Sequence, residues 1–197
     1  VAANPAIVDV EASGTNRVPS GVVGMTLFLF TEAMIFAALI SAFLVLQARA
    51  VAWPPPGQPR LPVGVTGANT LVLLASGVTM LVALARARAG APAVAWIVAT
   101  AALGAAFLLV QGAEWARLIG FGLTGESGVY AATFYTLVGI HALHVVGALV
   151  VLLANLARVV RRAAAAADGL RICAMYWVFV VAVWPVLYLL LYQPWKG

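Results

Sequence analysis

His141 and His144 are the only histidines in this chain of 197 residues, and a spacing of three turns both imidazoles towards one side of a helix. They interrupt an apolar run, Tyr130 to Ala157, that is long enough to cross a bilayer. About 20 residues at about 1.5 Å each span a hydrocarbon core of roughly 30 Å. An ionisable group at that depth is costly in lipid and turns inward to a partner or to water. Glu32 interrupts an earlier run, and Gln111 with Glu114 a third. Two histidines and a carboxylate could ligate one metal ion, although a catalytic site would also want carboxylates behind the ligands and an open coordination position. A mid-membrane glutamate could relay protons. The preferred reading is plainer, a hydrogen-bonded pair that joins two helices.

The elements that must position these groups follow from composition. With 64% hydrophobic and 9% charged residues and a mean hydropathy of +1.07, the chain lacks the polar surface of a soluble domain and reads as all-α, an integral membrane bundle. Breaks at Pro54-Pro55-Pro56-Gly57, Gly90 with Pro92, the loop Gly120 to Gly128, and the alanine run ending in Asp168-Gly169 divide it. The result is a polar tail over 1–20 and a domain over 21–197 with five helices at about 21–48, 66–87, 92–118, 130–158 and 171–193. No cleavable signal is visible in the tail. The net charge of +5 does not point to nucleic acid, because the arginines sit between apolar runs and not on one polar face. The single cysteine, Cys173, excludes an internal disulfide and any copper site needing two thiolates from this chain, and reads as a buried, inert thiol.

Loop arginines set topology. Arg17, Arg86, Arg88, Arg158, Arg161, Arg162 and Arg171 fall on one side of the membrane, and Arg49, Arg60, Arg117 and Lys196 on the other. Seven against four predicts a cytoplasmic N-terminus and a C-terminus outside. Helix rise then sets depth. Glu32 lies about 16 Å from the inner end of its helix, and His141 and His144 about 16 and 21 Å from the outer end of theirs. That makes His144 the expected partner of Glu32, as a neutral pair with an acid donor or as an ionic one where water reaches it. Gln111 and Glu114 lie near the outer end of the third helix, where water makes a carboxylate inexpensive, and are expected to be interfacial.

Two function classes are disfavoured by what the chain lacks. Oxygen chemistry at haem and copper takes several histidines, and a secondary transporter usually carries an internal repeat and broken helices. A small independent transporter or proton channel using Glu32 and the histidines remains the alternative to the reading that follows.

Six stretches occur in order: Gly24-Met25 to Glu32-Ala33-Met34-Ile35-Phe36; Trp53-Pro54-Pro55; Asn69-Thr70 through Ser76-Gly77; Gln111-Gly112-Ala113-Glu114-Trp115; Tyr130 and Phe134-Tyr135 through His141-Ala142-Leu143-His144; and Tyr176-Trp177-Val178-Phe179 with Trp184. Together they resemble subunit III of haem-copper respiratory oxidases, from about Gly21 to Tyr192. The resemblance implies an accessory subunit that holds no metal or haem, with haem and copper in partner subunits. It implies contact with the catalytic subunit I and other oxidase subunits, phospholipid bound in a helix cleft, and support for proton uptake and durability during turnover. The full family form has seven helices, and this chain resembles the five-helix form that lacks the first two, so a lipid cleft would need walls from a partner. Val178 and Val181 stand where the family usually has a histidine and an aspartate. The family also includes homologues that accompany quinol oxidases and nitric oxide reductases. The expected setting is a bacterial inner (cytoplasmic) membrane, with phospholipid against the first helix near Glu32 and Arg17 meeting a head group on the inner side.

Overall fold

Prolines and glycines fix where the helices begin and stop. In the computed structural model, which describes residues 19–59, 61–161 and 166–192, the helices are α1 Ser20–Arg49, α2 Val63–Arg88, α3 Val94–Gly120, α4 Val129–Arg161 and α5 Ala166–Tyr192. Pro19 and Pro62 stand immediately before α1 and α2, where a missing N–H costs nothing. That placement starts α2 three residues earlier than its hydropathy suggests. The alanines ahead of Gly169 are strong helix formers and start α5 at Ala166 instead of near Arg171.

Two helices end on a glycine in the left-handed region. After α3, Gly122 has φ +87°, Leu123 N–H donates to the Leu118 carbonyl at 3.0 Å and Gly122 N–H to that of Ile119 at 2.9 Å. This is a Schellman stop, with the buried side chains of Leu118 and Leu123 in the usual apolar contact positions. After α2, Gly90 with φ +69° closes the same pattern, Ala91 N–H donating to the Arg86 carbonyl at 2.9 Å.

All five helices are long and apolar enough to span a membrane. α2, α3, α4 and α5 close a ring in which each packs on the next and α5 returns to α2. Among the described residues, α1 stands outside it, meeting only α4 and α5. Its contact face repeats every seven residues, through the buried Val22, Phe36 and Phe43 with Leu29 between them. Without a hydrophobic force between helices in lipid, association rests on close packing and interhelical hydrogen bonds, and the ring has both. Gly77 faces Val181, Gly67 faces Tyr188 and Gly104 faces Trp177. Trp177 Nε1 donates to Ser76 Oγ at 3.1 Å, and Thr79 and Thr100 share a hydroxyl contact of 2.8 Å between α2 and α3. Pro185 lies inside α5 and removes the N–H that would meet the Val181 carbonyl, an omission that packed membrane helices tolerate.

At the end of the bundle that holds Arg49 and Tyr192, the chain after α1 folds back. Trp53 packs edge-on to Phe43 at 5.4 Å and to Tyr130 at 5.2 Å. Gln58 Nε2 donates to the Ser127 carbonyl at 3.2 Å and ties this loop to the one between α3 and α4. Cys173 is buried on α5. Arg17, Arg60, Arg162 and Lys196, with the tail that carries Arg17, lie outside the described residues.

Candidate functional site

Glu32 sits on the α1 seam between Leu29 and Phe36 and points at α4. Its Oε2 is 2.7 Å from Nε2 of His144, and both side chains are largely shielded, at 13% and 14% exposure. His144 Nδ1 lies 2.7 Å from the Ile140 carbonyl, which can only accept, so Nδ1 carries a proton. Nε2 then either accepts from a protonated carboxyl or, as imidazolium, donates to a carboxylate. In both arrangements the pair has no net charge and holds one proton between nitrogen and oxygen, which suits a site inside a bilayer. Both ring nitrogens of His144 are thereby engaged by protein oxygens. Phe36, 5.2 Å from the His144 ring and 6.3 Å from Phe179, covers the contact.

His141 goes elsewhere. Three residues at 100° each leave two side chains about 60° apart around the axis, enough for α4 to send His144 to α1 and His141 into the ring. There His141 is 1% exposed and stacks on Trp184 at 4.8 Å, with Phe107 and Phe36 edge-on at 6.1 and 6.4 Å. Trp184 is held in turn, Nε1 donating to Thr70 Oγ1 at 2.9 Å, and Asn69 Nδ2 donates to the Phe107 carbonyl at 3.0 Å. Asn69, Thr70 and Trp184, singled out from sequence as motif residues, thus brace the wall of the His141 pocket. Trp177, also on α5, makes the matching contact to α2 through Ser76. Tyr176 packs edge-on to Phe28 of α1 at 5.6 Å.

The side chains of Gln111 and Glu114 are not exposed to water, contrary to expectation. Both are buried, at 2% and 4% exposure. Gly104, Phe107, Gln111, Glu114 and Leu118 follow one another at alternating spacings of three and four and make up the inward face of α3. Position along the axis suggested water; rotation about it decides burial. Gln111 Nε2 donates to the Tyr192 hydroxyl at 3.3 Å, and the exposed Arg117 reaches back to Glu114 Oε1 at 2.7 Å, supplying the countercharge that burial requires. The inward-facing Ser76, Thr79, Thr100 and Tyr192 were missed as sites by the sequence reading, and the same spacing of three and four carries the signal.

One turn from Glu32 along α1, Leu29 joins Leu81, Leu84, Ala174, Met175, Val178 and Phe179 in lining an open cleft of about 370 Å³ between α1, α2 and α5. Its walls are apolar, the chemistry of an acyl chain.

The Glu32 contact is testable. Glu32→Leu leaves the His144 nitrogen without a partner and is expected to weaken α1 attachment by about 1–3 kcal/mol. Glu32→Gln, whose amide can donate to Nε2, should cost less than about 1 kcal/mol. Denaturant titration of the purified protein reads the difference; equal losses for the two variants would refute the hydrogen bond.

The sequence of residues 8–196 matches the family described as cytochrome c oxidase subunit III. The chain belongs to that family. A cytochrome c oxidase subunit 3 from Synechocystis sp. is 36% identical over 174 residues, covering 86% of this chain and 73% of its own length. A probable cytochrome c oxidase subunit 3 from Mycobacterium leprae is 35% identical over 175 residues, 86% of each chain. A cytochrome bo(3) ubiquinol oxidase subunit 3 from Pseudomonas aeruginosa is 31% identical over 175 residues, covering 87% of this chain and 83% of its own. Against the polar residues usual in the last helix of subunit III, Val178 here lines the apolar cleft and the Val181 side chain comes within 3.1 Å of where a Cβ on Gly77 would stand. In this member of the subunit III family, that part of α5 serves packing.

Proposed function

We propose that this chain is the non-catalytic accessory subunit of a haem-copper terminal oxidase in aerobic respiration, seated against the haem- and copper-bearing catalytic subunit I and stabilising it and its proton uptake. The observation that carries the reading is the family match over residues 8–196, with relatives that take their names from both cytochrome c and ubiquinol oxidases. The interior is consistent with a supporting role. Its polar side chains hold helix to helix at Glu32–His144, Trp184–Thr70, Trp177–Ser76 and Asn69–Phe107. α1, packed on two helices only, offers its outer face to a partner or to lipid. A phospholipid acyl chain fits the cleft beside Leu29, with its head group towards the Ser20 end.

In the bacterial inner membrane of this reading, the arginine distribution supports a cytoplasmic N-terminus and a C-terminus outside. A tagged chain purified from its own membranes should bring haem-bearing polypeptides and oxygen-consuming activity with it. In the same membranes Lys196→Cys should react with an impermeant thiol reagent only from outside. Purification as a stable unit free of haem proteins that moves protons alone in liposomes would defeat the subunit reading, and labelling from the cytoplasmic side would reverse the topology.

A further inference from the structure

Among the described residues, buried side-chain polar atoms of Asn69, Gln111, Trp115, His141 and Asn155 are left without a protein partner. Their distribution is uneven. Asn69 is in the first two turns of α2 and Gln111 and Trp115 in the last three turns of α3, so all but Asn155 lie between mid-bundle and the Tyr192 end. His141 is the extreme case, with both ring nitrogens unpartnered.

An imidazole always carries at least one N–H, and burying a polar group without a hydrogen bond costs free energy that native interiors seldom leave unpaid. Residues linked to Phe107, which packs on His141, carry the complementary groups. Phe107 packs on its ring while the Phe107 carbonyl takes the Asn69 amide, which fixes Asn69 Oδ1 as a free acceptor. Gln111, one turn from Phe107, gives its amide to Tyr192 and leaves Oε1 as a second acceptor. Neutral acceptors and an imidazole N–H, walled by Phe107 and Trp184, suit a small neutral molecule that both donates and accepts. Buried water meets that description, typically with about three hydrogen bonds.

We propose that His141 anchors an internal water site in the seam where α2, α3, α4 and α5 meet, with Asn69 and Gln111 as its other contacts and the Tyr192 end as its route of exchange. The site is separate from the Glu32–His144 contact, since Phe36 lies against both imidazoles. The ring interior is thus hydrated to mid-membrane depth while the α1 contact stays dry on that side.

X-ray radiolytic labelling in ¹⁸O water, applied to the intact protein with whatever subunits accompany it, tests the site, because radicals form on bound water next to buried rings. Phe107 and Trp184, each 0% exposed, should take up label, whereas Phe43, 2% exposed and remote from His141, should not. Asn69→Leu should lower labelling at Phe107 and Trp184 several-fold. Should that variant fail to assemble, the unmodified protein still decides: labelling of Phe107 and Trp184 no greater than that of Phe43 overturns the proposal. A density map fine enough to show water gives a second reading. Density about 2.7–3.2 Å from a His141 nitrogen supports the site, and protein or an aromatic face alone against both nitrogens removes it.

Discussion

Gly104→Leu should keep α3 from seating in the ring, because the Trp177 side chain of α5 reaches across to that position. A Cβ at Gly104 would stand 2.7 Å from Cζ2 of Trp177 and nearer still to Cη2, inside the distance any real side chain tolerates. The indole cannot retreat easily, because Trp177 is 2% exposed and its Nε1 is tied to Ser76. Overpacking a tight core costs about 1–3 kcal/mol and sometimes more, and a rigid, tethered ring places this substitution at about 3 kcal/mol or above. Gly112 on the same helix provides the control, since nothing lies within 4 Å of its Cβ position. Gly112→Leu should therefore be neutral or slightly stabilising through helix propensity, by less than about 1 kcal/mol. Helices in lipid stay inserted when their packing fails, so the readout is the fraction of folded protein recovered in mild detergent and its denaturation midpoint. Similar recovery for the two variants would contradict the packing described.

Trp184→Ala is the second large effect. The side chain is 0% exposed, stacks on His141, meets Phe107 edge-on at 5.0 Å and donates to Thr70. Truncating a buried tryptophan in a water-soluble core costs about 3–5 kcal/mol. Lipid is as apolar as the interior, so the transfer part is reduced and lost packing remains, giving an expected loss of about 3 kcal/mol. Trp184→Phe keeps a ring on His141 and loses only the hydrogen bond. Thr70 still donates to the Thr66 carbonyl at 2.8 Å, so that change should cost about 0.5–1.5 kcal/mol. Thermal unfolding that ranks the two variants equally would show that the stack contributes little.

Depth and rotation explain which features the sequence discloses. Depth in a membrane helix is linear in residue number, so five apolar runs disclose five helices, and counting from the ends brings Glu32 and His144 to one level, where the structure has them 2.7 Å apart. Rotation is legible only when a face is periodic. The spacing from Gly104 to Leu118 marks α3 clearly, yet counting distance alone put Gln111 and Glu114 in interfacial water. Trp184 and Thr70, 114 residues apart, meet through tertiary packing, and no local pattern encodes that meeting. The resemblance named both residues without giving the contact. Helix ends were legible to a few residues where Gly90 marks a stop, and less so at the starts of α2 and α5, which hydropathy placed late.

The placement of α1 on α4 and α5 alone bears on how the chain is made. Glu32 leaves the ribosome 112 residues ahead of His144, an interval of roughly 6–22 s at about 5–20 residues per second. During that time neither helix that receives α1 has been synthesised. Its carboxyl crosses into the bilayer without an imidazole to meet, and α2 and α3 can pair with each other but give it no seat. Biogenesis therefore holds the first helix in the insertion machinery, or in lipid on its own hydropathy, until the fourth arrives, and a substitution at His144 acts on a segment whose insertion began much earlier.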